Sequence, residues 1–137
     1  MKKYISERLA TKALLTIQSL SVVLHLLILS GVVPYEIAWG GRIKNQEEMI
    51  RFESVSILLN LLMLAIVAIR AGLLPVRLNY SFTRGALWIM FGLFVLNTVG
   101  NILSDNQFEQ LVFTPVTMIL AVFSLRLAIS IPTKATA

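Results

Sequence analysis

Apolar residues run through this chain in four stretches long enough to cross a bilayer, each closed by polar or helix-ending residues. A membrane-spanning helix takes about 20 residues, so four use up most of the chain and leave no room for a soluble domain. The first run, Ala13 to Val33, stops at Pro34 and predicts a helix over about 12–34. Asn45 opens the second. With Glu48 three residues on it fits a capping box, Glu47 and Glu48 suit the positive end of a helix dipole, and Gly72 and Pro75 stop the helix, giving 46–70. A third helix is predicted over about 85–103. Ser104-Asp105-Asn106 is then a tight turn with N-cap chemistry for a fourth over 107–130, in which Pro115 predicts a kink and Pro132 a stop. The pattern is all-α: a polytopic four-transmembrane-helix bundle, one membrane domain over 1–137.

Composition agrees. Hydrophobic residues make up 57% and charged residues 14%, against about 45–50% and 25% for soluble domains. That excludes an ordinary globular enzyme, a disordered tail and a collagen-like chain. The first run is longer than the roughly 7–15 residues of a signal-peptide core, and no A-x-A site follows, so it is expected to remain as an anchor. The chain has no cysteine and one histidine, His25, which excludes disulfides, thiolate sites and a two-histidine metal site within one chain. No metal or cofactor is expected.

The net charge of +5 does not point to nucleic acid, because the basic residues are dispersed and flank the apolar runs. Lys2, Lys3, Arg8, Lys12, Arg70, Arg77, Arg84, Arg126 and Lys134 fall on the side of the N-terminus. Only Arg42, Lys44 and Arg51 fall on the other. The positive-inside rule converts nine against three into an N-in, C-in topology with both termini cytoplasmic. Tyr35, Trp39 and Phe108 mark the outer interface, and Tyr4, Tyr80 and Trp88 the inner one.

Polar side chains inside spans are costly in lipid, so their faces carry the most information. Gln18, Ser21 and His25 share one stripe of helix 1, and Glu53, Ser56 and Asn60 one of helix 2. Asn97, Asn101 and Ser104 share one of helix 3, and Thr114, Thr117 and Ser124 one of helix 4. Such faces satisfy one another by turning inward, and depth at 1.5 Å per residue puts His25, Asn60, Asn97 and Thr117 in a central polar layer. Glu53, the acid placed within a span, joins Asn101 and Thr114 in the outer half. The same arithmetic separates His25 and Glu53 by about 7–8 Å in depth, so a direct hydrogen bond is not expected.

Two readings apply to these residues. Polar groups in membrane helices act as interhelical glue, averaging about 0.6 kcal/mol each, and Glu53 near a helix start is a first-turn acid beside Arg51 or Arg42. Alternatively, His25, Glu53, Asn60, Asn97, Asn101, Thr114 and Thr117 line an outward-opening cavity that binds a polar or amphipathic ligand or relays protons, since histidine titrates near neutral pH. Trp39-Gly40-Gly41-Arg42 is then a lid, with Trp39 and Arg42 folding over the mouth, or else an interfacial turn. Arg126 is expected to snorkel to the headgroups. Ser21 and His25 lie one turn apart, but helix 1 offers no acid to orient the imidazole. Walker, H-E-x-x-H and G-x-S-x-G motifs are missing from the sequence.

Through Pro34 to Arg42, the Glu53–Asn60 stripe and Asn97 to Asn101, the chain resembles small bacterial four-span membrane proteins of unassigned function, a resemblance that implies an inner-membrane location and no particular activity. In topology alone it is also similar to the sterol-isomerase family. Three functions follow as expectations: a ligand-binding or transport-related bundle, an isomerase or hydrolase acting on a lipophilic substrate with Glu53 and His25 as acid and base, or a non-catalytic assembly partner. Expected partners are the lipid bilayer, a small amphipathic ligand and a second copy of the chain, and not nucleic acid.

Because the chain lacks cysteine, single cysteines at Lys3, Asn45, Asn79 and Asn106 report topology directly in intact cells. Asn45 and Asn106 are expected to react with an impermeant maleimide and Lys3 and Asn79 to stay silent; the reverse pattern would invert the topology.

Overall fold

In a computed structural model, described over residues 1–39 and 42–130, the described residues form four helices long and apolar enough to span a membrane and no strand. These are α1 (Glu7–Leu29), α2 (Gln46–Arg70), α3 (Tyr80–Ile102) and α4 (Thr114–Ala128), the last preceded by a π-helical turn over Glu109–Phe113. Gly40, Gly41, the Pro132 stop and Lys134 lie outside the described residues.

The expected bounds of the second helix hold, and those of α1 and α3 move toward the N-terminus for a local reason. Ser6 caps α1, its hydroxyl accepting from the Leu9 N–H at 3.0 Å, so the polar turn from Glu7 to Lys12 is already helical. The helix then ends at Leu29, because Gly31 turns left-handed at φ +84°, five residues before the expected stop. Asn79 caps α3 by accepting from the Ser81 N–H at 2.9 Å. In the last helix the consequence of Pro115 is a wider turn placed just before it. A π turn removes the conflict between the proline ring and the carbonyl one turn back, and such turns collect at functional sites.

Around the bundle, α1 packs on α2 and on α4, and α3 packs on α4, while α2 and α3 touch along little of their length. The ring of helices is therefore open on one side. Lipid tails are as apolar as leucine, so exposing the flank of α2 costs little, and helix association rests on close packing and polar ties. Packing concentrates at the end carrying the N-terminus, where Ala10, Leu14, Val67, Leu87, Leu127 and Ala128 meet with almost no exposed surface. A smaller cluster of Ile28, Ile43 and Met49 holds the opposite end, which carries Trp39.

Polar ties lock the N-terminal end and correct one expectation. Arg126 does not snorkel: it is 5% exposed, its Nε donates to the Ile5 carbonyl at 2.7 Å, and its Nη1 lies 3.9 Å from Glu7. Arg70 reaches the same carboxylate at 3.6 Å and donates to the Ser130 hydroxyl, while the Tyr80 hydroxyl donates to the Ser130 carbonyl at 3.1 Å. Glu7, Arg70 and Arg126 thus join α1, α2 and α4, and α3 enters the network through Tyr80 and Ser130. Gln18 and Ser124, deeper in the same half, are fully buried with no hydrogen-bond partner among the described residues.

Removing one member of this network should strand the others. Arg126→Gln is expected to lower thermal stability in detergent by about 1–3 kcal/mol, and Arg84→Gln, at an exposed position, to leave it within about 0.5 kcal/mol. Equal midpoints would return Arg126 to the lipid headgroups.

Candidate functional site

At the Trp39 end a fully buried carboxylate organises the wall of a cavity. Glu53 sits on α2 with no exposed surface. Its Oε2 is 2.6 Å from His25 Nδ1 on α1, and its Oε1 accepts the Trp39 indole N–H at 2.5 Å. Both oxygens are used, each by a different segment of the chain. Nδ1 is engaged by Oε2, so Nε2 is the imidazole atom left for other partners. Trp39 is fixed a second way, its ring lying 5.3 Å from that of Phe52.

This contact overturns the expectation that His25 and Glu53 are too far apart in depth. The helix register is the reason. Because α1 ends at Leu29, its midpoint lies near residue 18, and His25 stands about 10 Å beyond it toward the Trp39 end. Glu53 stands about 7–8 Å beyond the middle of α2 in the same direction. The two side chains share one level.

Behind this brace lies a cavity of about 380 Å³, within the roughly 300–1,000 Å³ of small-molecule sites. His25, Trp39, Arg42, Asn60, Asn97 and Asn101 line it, together with Thr117, Ser21 and Ser56. Two expected members do not: Glu53 stands behind His25 and Trp39, and Thr114 is half-buried away from the cavity, its buried hydroxyl without a partner among the described residues. Arg42 closes part of the wall by donating to the Gly100 carbonyl at 3.3 Å, and its own N–H bonds the Trp39 carbonyl at 2.9 Å. Trp39 and Arg42 therefore both lie at the cavity as a lid requires, whereas Gly40 and Gly41 between them are outside the described residues.

The expected central layer is not a mutual network. Asn60 Nδ2 donates to the Ser56 carbonyl of its own helix at 2.9 Å. Thr117 takes a hydrogen bond from Thr98 at 2.9 Å and one from Asn101 at 3.3 Å, pinning α3 to α4. Asn97 is exposed and lines the cavity. The inward-facing stripes exist, but they converge on a space, and only α1–α2 and α3–α4 are bonded in pairs.

A second acid, Glu109, was not among the expected site residues. It is 1% exposed, lines the cavity and accepts the Ser104 hydroxyl. Ser104 Oγ also takes the Asn106 N–H at 3.1 Å, which directs the hydroxyl hydrogen at the carboxylate. Three residues after Asn106, Glu109 reads as the acid of a helix-start motif. The signal that reveals it is spacing, since Glu109, Phe113, Thr117 and Leu120 follow one helical stripe and all line the cavity.

The imidazole, three amides and a carboxylate can bind a polar group, and the Glu53-braced imidazole can exchange a proton. The acid missing from helix 1 is thus supplied by α2, yet the Ser21 hydroxyl donates to the Ile17 carbonyl at 2.9 Å and not to His25. No cluster of metal-binding side chains occurs among the described residues. The chain matches no family model, no curated protein and no solved structure.

Burial sets the expected cost of substitutions here. Glu53→Leu leaves two donors unpaired and should lower thermal stability by about 1–3 kcal/mol, while Asn97→Leu should stay within about 0.5 kcal/mol. If Asn97→Leu were the more damaging, Asn97 would be packed and not facing the cavity.

Proposed function

We propose that this is a small ligand-binding membrane protein, transport-related in type, whose site is the cavity between α2, α3 and α4 with His25 and Trp39 on its near wall. One observation carries the reading: polar side chains from all four helical segments converge on a space of about 380 Å³, where some, as His25 with Glu53 and Asn101 with Thr117, are bonded between helices and others are not. Interhelical glue would end in bonds between helices, and Asn97 and Asn60 make none there among the described residues.

In this reading the Lys/Arg asymmetry, nine against three, puts both termini in the cytoplasm and the Trp39 end outside. The resemblance of Pro34 to Arg42 to bacterial four-span proteins supports an inner-membrane location. The cavity is then outward-facing, with Trp39 and Arg42 at its mouth. The Glu53–His25 pair at 2.6 Å also favours a second reading, an isomerase moving a proton on a lipophilic substrate, with His25 as the base. Glu53→Gln separates the two: it should abolish turnover in the second and weaken, without abolishing, binding in the first.

Thiol accessibility tests the cavity without knowledge of its ligand. In intact cells, Asn101→Cys is expected to react with an impermeant thiol reagent, while Leu58→Cys and Leu62→Cys, exposed on α2 away from the cavity, stay protected by lipid. An unreactive Asn101→Cys beside a reactive Asn106→Cys would mean that no hydrated cavity opens on that side.

A further inference from the structure

Glu109 is the acid in the cavity wall that has no basic partner among the described residues. Among the described residues no lysine, arginine or histidine nitrogen lies within 4.0 Å of its carboxylate, and the residue is 1% exposed. Its position in the first turns of the last helix suits a negative group. The Ser104 hydroxyl donates to Oε2, the one hydrogen bond to this carboxyl among the described residues, which leaves Oε1 for a donor on a ligand. Arg42, the cation of the same cavity, is itself exposed and bonded to the Gly100 carbonyl, so it needs no anion. Phe113, one turn on from the acid, and the Trp39–Phe52 pair supply aromatic surface to the same cavity, which suits an ammonium group.

The opening of the cavity indicates what is attached to that group. On α2, Val55 and Leu59 line the space while 53% and 41% exposed; on α3, Leu96 lines it at 68%. These are the two helices that barely touch, so the cavity has a side gap with apolar lips facing the hydrocarbon. A ligand bound here can leave its polar head inside and its chain in lipid. Resting on the ligand-binding reading above, we propose that the cavity takes a single-chain amphiphilic amine from the bilayer, with its ammonium group on Glu109 and its alkyl chain passing between Leu59 and Leu96.

Trp39 reports occupancy. In a Trp88→Phe background it is the single tryptophan, and a brominated chain in the cavity quenches it. The protein in phosphatidylcholine nanodiscs is titrated with a bromoalkyl amine, and with the bromoalkanol and bromoalkanoate of the same length. The amine should quench saturably and about ten-fold more tightly than the alcohol, the size of one charge-assisted hydrogen bond. Glu109→Gln should remove that preference and Glu109→Asp should keep it.

Equal saturable binding of amine and alcohol in the unmodified cavity would leave the ligand site standing and overturn the amine. A preference for the alkanoate would do the same and transfer the head group to Arg42. Retention of the amine preference in Glu109→Gln would reduce Glu109 to a helix-start charge. Absence of any saturable component would overturn the site and the amine together. Leu59→Phe with Leu96→Phe should slow the onset of quenching, and an unchanged onset would overturn sideways entry.

Discussion

One fully buried carboxylate, Glu53, sets how α1, α2 and the segment between them meet at the Trp39 end. An acid side chain withdrawn from water and lipid headgroups must find its hydrogen-bond partners inside the protein, and Glu53 finds one on α1 and one in the segment between α1 and α2. The side chain thereby fixes three pieces of backbone at one level: α2 by its own attachment, α1 through His25, and the connecting segment through Trp39. Helix packing alone would not do this, because apolar side chains gain little by leaving lipid for one another. Close-packed contacts can slide along a helix by a turn at modest cost, whereas the two oxygens of Glu53 accept a single register.

The two ends of the bundle solve the burial of polar groups in opposite ways. At the N-terminal end Glu7, Arg70, Arg126, Tyr80 and Ser130 bond to one another or to carbonyls, so polarity there closes the bundle. At the Trp39 end the bonds run in pairs, α1 to α2 through Glu53 and α3 to α4 through Thr117. Among the described residues the pairs are linked only at the edge, where Arg42 and Asn106 donate to the Gly100 and Glu36 carbonyls, and the cavity is the space between them. A bundle tied at one end and divided at the other is a reasonable way for a chain of 137 residues to form a binding space without a second domain.

Helix number, helix order and the bounds of α2 are legible in the sequence because they rest on strong local signals: long apolar runs, the Asn45 capping box and the Gly72 stop. The candidate residues are legible as a set, since intramembrane polar groups are few and fall on stripes. Their partners are not. The His25–Glu53 bond was hidden by a hydropathy-based start for α1 that ignored Ser6 as a cap, which displaced the helix midpoint by about a turn and a half. Glu109 and Arg126 were hidden by a common assumption, that a charge near the end of a span belongs to solvent or headgroups. Whether such a charge turns inward depends on the neighbouring helices, and one helix's sequence carries no record of them.

The tie from Glu53 to Trp39 is the part of this account most open to direct measurement. The chain has two tryptophans, hence two indole N–H resonances, and they sit in opposite circumstances: that of Trp39 is donated to a buried carboxylate, whereas Trp88 is substantially exposed. Hydrogen–deuterium exchange followed by NMR on the protein in nanodiscs should find the Trp39 indole protected far longer than that of Trp88, and Glu53→Gln should bring the two rates together. Exchange of the Trp39 indole as fast as that of Trp88 in the unmodified protein would contradict the central role given to Glu53.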